Sequence, residues 1–282
     1  MKIREKLTGS IFLILALSSI SALVLITVFI VVQGAPIVGE VGLFNFIFGM
    51  TWAPGKGEFG IFPFIVGTFT VTLGAAVIGV PLGVCCSIFL AEYAPAIVQT
   101  IFRPAIQLLA GIPSVVYGFW GLVFIVPFIR NNLGGPGLSI LAGSIILAIM
   151  ILPTIISISE VTILSLPKEY KEGAFALGIT HFSAISSVLL PAAKNGIVAA
   201  IILGIGRAVG ETMAVIMILG NAVALPESIL DPVRTLTTNI GIEMGYATGS
   251  HREALFATGI VLFVMIMILN ALAQFIARGN RK

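Results

Sequence analysis

Residues 138–159 read LSILAGSIILAIMILPTIISIS, a run of aliphatic and small residues without one charged side chain. At 1.5 Å per residue a helix of this length spans about 30 Å, the hydrocarbon thickness of a bilayer, and a helix satisfies its own backbone there. Working outward, runs of similar polarity occupy about 11–32, 64–91, 104–129, 193–222 and 255–276. The sequence therefore predicts an all-α membrane protein with six transmembrane helices. Composition agrees: 58% of the 282 residues are hydrophobic and 10% charged, more apolar surface than a soluble core hides.

Basic residues orient the bundle, because Lys and Arg stay on the cytoplasmic side. An amino terminus inside places Lys2, Arg4, Lys6, Arg103, Lys168, Lys171, Lys194, Arg278, Arg281 and Lys282 in the cytoplasm, against Lys56, Arg130, Arg234 and Arg252 outside. Both termini are then cytoplasmic. The net charge of +3 reflects this topology, and no clustered basic face points to nucleic acid. The first span has the basic flank of a signal peptide but exceeds the usual apolar length, so it reads as a retained helix. Cys85 and Cys86, adjacent within a span, suit neither a mutual bridge nor a metal and read as apolar packing.

The fifth run contains Gly204-Ile205-Gly206-Arg207-Ala208-Val209-Gly210-Glu211-Thr212-Met213-Ala214. A lone charge at such depth costs at least ~2.5–3.5 kcal/mol. In a continuous helix Arg207 and Glu211, four apart, face the same way. Gly206 and Gly210 are expected to bring a neighbouring helix close beside them. Two readings are open. The pair neutralises itself, although Arg before Glu is the poorer helical orientation. Alternatively, Arg207 offers a guanidinium fork to an oxyanion at a helix interface. Glu211 then holds Arg207, or accepts a hydrogen bond from a protonated oxyanion, which would select hydrogen phosphate over sulfate.

In the third run, Pro113 of Gly111-Ile112-Pro113-Ser114-Val115-Val116-Tyr117-Gly118 is expected to kink the helix. Ser114 and Tyr117 either belong to a purely structural kink or line a pathway. Gly79 and Gly83 in the second run are spaced for close helix approach. Residues 33–63 form an outside loop whose Phe44, Phe46, Phe48 and Trp52 suit a membrane-edge anchor or a short interfacial helix.

The loop 160–192 is the longest cytoplasmic segment. Within it, residues 168–178 predict a short amphipathic helix after Pro167, with Tyr170, Ala174 and Leu177 on one side and Gly178 as its stop. Flanking acids suit that face to a protein groove better than to anionic lipid headgroups. No Gly-x-x-x-x-Gly-Lys-Ser/Thr is present, and the glycines around Arg207 follow no strand, so neither a nucleotide cradle nor a dinucleotide fingerprint is expected. His181 and His251 fall on opposite sides and Glu160 at a span end, leaving no nucleophile with a base in reach and no metal-ligand set. No catalytic residue, metal or cofactor is expected in this chain, and its loops hold no soluble domain.

The cytoplasmic segment resembles the signature of ABC importer permeases, Glu-Ala-Ala, then Gly, then Ile-x-Leu-Pro after nine residues. Here it stands as Glu172-Gly173-Ala174, Gly178 and Val188-Leu189-Leu190-Pro191, with Gly173 and Val188 as departures. Trp52-Ala53-Pro54, Phe59-Gly60-Ile61, Pro63 through Thr68, Ile112 through Gly118 and Gly206 through Val215 are similar to the C-type permeases of phosphate importers, a likeness running from about residue 40 to the end. The resemblance implies a type I importer permease fold, with residues 1–63 holding the first transmembrane helix and external loop and 64–282 the five-helix permease core. It implies a second permease of the A type, a cytoplasmic dimer of ATP-binding subunits that uses ATP and Mg, and an extracytoplasmic phosphate-binding protein. By motif position, ATPase coupling carries onto Glu172, Gly173, Ala174, Gly178 and Pro191 in coupling helix 168–178, and the anion pathway onto Arg207 and Glu211. The expected function is ATP-driven phosphate import by alternating access; rivals are the same architecture carrying molybdate or sulfate, and a passive anion channel.

Overall fold

The computed structural model describes residues 2–278, and side chains from Thr8 to Leu272 together with Phe275. The terminal basic residues Lys2, Arg4, Lys6, Arg278, Arg281 and Lys282 lie outside the described side chains. Helix α1 (Lys2–Val41) leads to the short α2 (Leu43–Phe48) and to a two-stranded antiparallel hairpin, β1 (Trp52–Ala53) and β2 (Glu58–Phe59). Helix α3 (Phe62–Ile88) continues through a π-helical turn, Phe89–Tyr93. Then come α4 (Ala96–Gly111), α5 (Ser114–Trp120), a second π turn (Gly121–Ile125), α6 (Val126–Asn132) and α7 (Ile140–Leu164). The chain ends with α8 (Lys168–Ala176), α9 (His181–Ala184), a third π turn (Ile185–Leu189), α10 (Leu190–Gly210), α11 (Met213–Ile218), α12 (Leu236–Glu243) and α13 (Gly249–Arg278).

Among the described residues six helical stretches are long and apolar enough to cross a membrane: Thr8–Val41, Phe62–Tyr93, Ser114–Asn132, Ile140–Leu164, His181–Gly210 and Gly249–Leu272. The expected number holds, but two spans are drawn differently. The third was read as one kinked helix over 104–129. Instead α4 ends at Gly111, Ile112 and Pro113 are extended, and a separate helix starts at Ser114. Pro113 lacks an N–H and biases the preceding residue away from helix, so the break falls at Ile112. The fifth, read as 193–222, is helical from His181 but stops at Gly210, and Glu211 is extended at φ −69°, ψ 132°.

Inside a bilayer, helices gain little from hydrophobic attraction to one another, so close backbone packing decides which ones meet. Helix α7 forms the hub, largely buried along its length. Its Ile151 and Ile155 seat over Gly79 and Gly83 of α3, where an added Cβ would lie 2.8 and 2.7 Å from isoleucine carbons, and Ile155 also covers Gly204 of α10. The spacing of Gly79 and Gly83 is thus used as expected. Helix α1 packs on α13, with Gly34 against the backbone of Ala257.

At the hairpin end, a second core gathers Ile37, Phe46, Trp52, Phe59, Ile61, Phe64, Leu236 and Leu255. This corrects the anchor reading of the 33–63 loop for two of its aromatics: Phe46 and Trp52 are buried in protein, while Phe44 and Phe48 remain exposed. Phe46 lies opposite Phe44 and Phe48 on a one-and-a-half-turn helix, so one face must turn inward. The segment 165–180 sits at the other end of the bundle, called here the α8 end.

Candidate functional site

The two helix breaks lie against each other. An added Cβ at Gly118 of α5 would meet the Cα of Ala214 in α11 at 2.8 Å, so the half-helices touch backbone to backbone. Each break supplies side-chain partners for the backbone groups it frees. Pro113 cannot donate to the carbonyl four residues before it, Leu109, which accepts instead from the Tyr117 hydroxyl at 2.8 Å and from the Ile112 N–H at 3.3 Å. At the second break the Thr237 hydroxyl of α12 donates to the Glu211 carbonyl at 2.8 Å. Tyr117 is buried, and Ser114, the first residue of α5, is half-buried beside it in sequence.

Arg207 occupies the last turn of α10 and is half-buried. Among the described residues its guanidinium has no hydrogen-bond or ion-pair partner. Of the sequence-predicted pathway residues, Ser114 and Tyr117 stand in the first turn of α5 and Arg207 in the last turn of α10. The expectation that Arg207 and Glu211 share one helical face is corrected, because Glu211 lies beyond the helix end. They form none of the ion pairs among the described residues. Glu211 instead turns to the next helix, where its Oε1 accepts from the Ala214 N–H at 3.2 Å and caps α11. An acid at that position satisfies an orphan donor and suits the positive end of the helix dipole. Gly206 and Gly210 also depart from expectation: an added Cβ at either would meet nothing within 4 Å, so neither seats a closely packed helix, and Gly206 lines a cavity shared with α13.

The segment read as an amphipathic helix over 168–178 is α8, capped by Pro167 and ended by Gly178 at φ +76°. That left-handed geometry favours glycine. Within α8 only Ala174 is buried; Tyr170 and Leu177 are exposed, Leu177 at 83%. Glu172 and Gly173 are exposed, and space is open around Gly173. Pro191 follows the π turn Ile185–Leu189 inside the helical stretch His181–Gly210, where its missing N–H removes a helical hydrogen bond and the wider turn accommodates its ring.

Three buried carboxylates organise the charge: Glu160, placed by the sequence at a span end without a role, and Glu92 and Glu243, which sequence reasoning passed over. At the α8 end, Glu92 Oε2 accepts from Lys171 Nζ at 2.6 Å and lies 3.3 Å from His181 Nε2. Glu160 Oε1 accepts from Arg103 Nε at 2.7 Å, joining α7 to α4. At the hairpin end, Glu243 takes Arg234 Nη1 at 2.6 Å on Oε1, with Trp52 Nε1–H and His251 Nε2 each at 2.8 Å on Oε2. His181 and His251 do lie at opposite ends, each against a carboxylate. The available signal was position, since Glu92 and Glu160 directly follow apolar runs; their partners are far away in sequence. No group of three metal-ligating side chains occurs among the described residues.

The arrangement offers one guanidinium without a partner among the described residues, in the last turn before a helix break, and an exposed helix at one end of the bundle. Residues 83–282 match the family of the binding-protein-dependent transport system inner membrane component. A probable ABC transporter permease protein, YqgH of Bacillus subtilis (strain 168), is 44% identical over 273 residues, covering 94% of this chain and 88% of that protein. The phosphate transport system permease protein PstC of Xylella fastidiosa (strain 9a5c) is 35% identical over 259 residues, covering 84% and 80%. In fold the chain is similar to a bacterial ABC transporter importing the polysaccharide alginate, with TM-score 0.60 at 16% identity over 94% of this chain and 96% of the other. It is also similar to the inward-facing MetNI methionine ABC transporter, with TM-score 0.57 at 23% identity over 79% and 95%. On this sequence match and shared architecture, the chain belongs to the family of binding-protein-dependent transport system inner membrane components.

Proposed function

We propose that this chain is the transmembrane permease subunit of an ATP-driven importer that carries inorganic phosphate into the cytoplasm by alternating access. The observation that carries the reading is Arg207, a guanidinium without a partner among the described residues, half-buried in the last turn of α10 just before the break that leads into α11. Breaking its solvation in the membrane is costly unless an anion or a partner subunit replaces it, and its planar fork matches a tetrahedral oxyanion. Relatives named as phosphate transport permeases support phosphate as that anion. Glu211 Oε2 accepts no hydrogen bond among the described residues and is the acceptor offered to the protonated oxygen of hydrogen phosphate, with Ser114 at the pathway wall.

The chain is a permease and not an enzyme; ATP is used by a partner ATPase, and a substrate-binding protein completes the system. In the finer reading, a dimer of ATP-binding subunits, using ATP and Mg, receives α8 through Tyr170, Leu177 and Glu172. A second permease of the A type covers the open Gly206–Gly210 face. An extracytoplasmic phosphate-binding protein docks at the hairpin end. The α8 end and both termini are then cytoplasmic, in the plasma or inner membrane. Nucleotide-driven closure moves α8 and rocks the spans between two openings.

The test is uptake of radiolabelled inorganic phosphate into proteoliposomes holding the assembled complex. Uptake is expected to need ATP and the binding protein, to resist competition by excess sulfate or molybdate, and to fall below a tenth in Arg207→Ala, about the loss of one charge-assisted contact. Transport of sulfate or molybdate in preference, or uptake without nucleotide, would overturn the reading.

A further inference from the structure

One carboxylate ties together three segments at the α8 end. Glu92 lies in the π-helical turn Phe89–Tyr93 that ends the second span, with its side chain only 7% exposed. Its Oε2 accepts from Lys171 Nζ, in the middle of α8, at 2.6 Å, and from the opposite side lies 3.3 Å from Nε2 of His181, the first residue of α9. The Tyr93 ring stands edge-on to the His181 ring at 4.9 Å, and Phe175 of α8 approaches it at 6.0 Å. From His181 the chain is helical to Gly210, and Arg207 sits in the last turn of that rod.

We propose that Glu92 is the positioning residue that transmits displacement of α8 to the second span and to the helical rod carrying Arg207. This rests on the reading of α8 as the element seated in the ATPase. Two physical points carry it. Helix α8 buries only Ala174, so apolar packing does not fix its position against the spans, and the Lys171–Glu92 pair is its charged tie to them. A buried carboxylate stripped of its cation is strongly penalised, so the pair stays closed while its surroundings shift, and a push on α8 is delivered at Glu92 and His181 together. Short links containing Pro167 and the left-handed Gly178 join α8 to the spans on either side, so a displacement of α8 reaches Glu92 and His181 over a short path.

The measurement is the number of phosphate ions accumulated per ATP hydrolysed by the full complex in proteoliposomes. Glu92→Gln and Lys171→Gln are each expected to lower this ratio on the order of tenfold, the effect of one charge-assisted hydrogen bond. The exchanged pair Glu92→Lys with Lys171→Glu is expected to restore a large part of it. Lys171 is partly exposed, so Lys171→Gln reads the ratio even where Glu92→Gln fails to assemble. An unchanged ratio in Lys171→Gln, or an exchanged pair no better than either single reversal, overturns the proposal while leaving phosphate import intact. A wild-type complex without ATP-driven phosphate uptake instead overturns the reading on which it rests.

Discussion

Arg207 and Glu211 behave as two separate devices at the residue scale, although four positions separate them. Arg207 stands in the last turn of α10 without a partner among the described residues; Glu211, one residue beyond that helix, caps the next one. Arg207→Lys keeps the charge but loses the planar bidentate geometry, and is expected to raise the phosphate concentration for half-maximal uptake about tenfold. Uptake titrated against phosphate checks it; an unaltered curve would leave only point charge to matter. Glu211→Gln retains a capping oxygen and removes the carboxylate. It is expected to leave thermal stability in detergent nearly unchanged while reducing discrimination against sulfate, measured by competition in the same vesicles. Glu211→Ala, which removes the cap as well, should in addition destabilise by about 1 kcal/mol.

At the element scale, glycines divide into those that set helix contacts and those that set helix ends. Gly79 belongs to the first kind, and its replacement by Leu would drive α3 off Ile151 of α7. Overpacking of this sort costs about 1–3 kcal/mol, so a lower melting temperature in detergent is expected. Gly173 and Gly178 both have open space where a Cβ would go, yet they should respond in opposite directions. Gly173→Ala sits inside α8 and gains about 0.5–1 kcal/mol of helix stability, so uptake should hold or rise. Gly178→Ala places an L-residue at φ +76° and costs about 1 kcal/mol, so uptake should fall. Side-by-side uptake rates of the two variants check the sign. The departure of Gly173 from the family pattern is thus a local loosening of α8 and removes no packing contact within the chain.

Over the whole molecule, the two ends of the bundle are fastened by charge and its middle by close packing. Glu243 joins the hairpin through Trp52, the segment before α12 through Arg234, and the start of α13 through His251. Arg234 extends the network to the Asn221 carbonyl at 3.1 Å and Asn239 Oδ1 at 3.1 Å. Removing the carboxylate leaves the mostly buried Arg234 uncompensated, so Glu243→Ala is expected to destabilise by about 3–5 kcal/mol. A fall in the detergent melting temperature, far larger for Glu243→Ala than for Trp52→Phe, which deletes one donor, checks this. Equal and small shifts would mean that the apolar core around Phe46, Phe59 and Phe64 holds the hairpin end alone.

The sequence by itself determined six apolar runs, the place of α8 with its stop at Gly178, the close approach at Gly79 and Gly83, and the residues worth suspecting in the fifth run. These depend on length, periodicity and backbone rules that act within a few residues. Only the tertiary structure decided that the fifth helix stops at Gly210, that α5 and α11 meet, and that Arg207 has no partner among the described residues while Glu211 caps α11. A break in a membrane helix survives only where distant groups satisfy its freed backbone, here the hydroxyls of Tyr117 and Thr237. The carboxylate junctions follow the same logic: Glu92 finds Lys171, and Glu243 finds Trp52, across separations that local sequence rules do not span. A buried acid is tolerable only beside its partner, and the partner is chosen by the packing of whole helices.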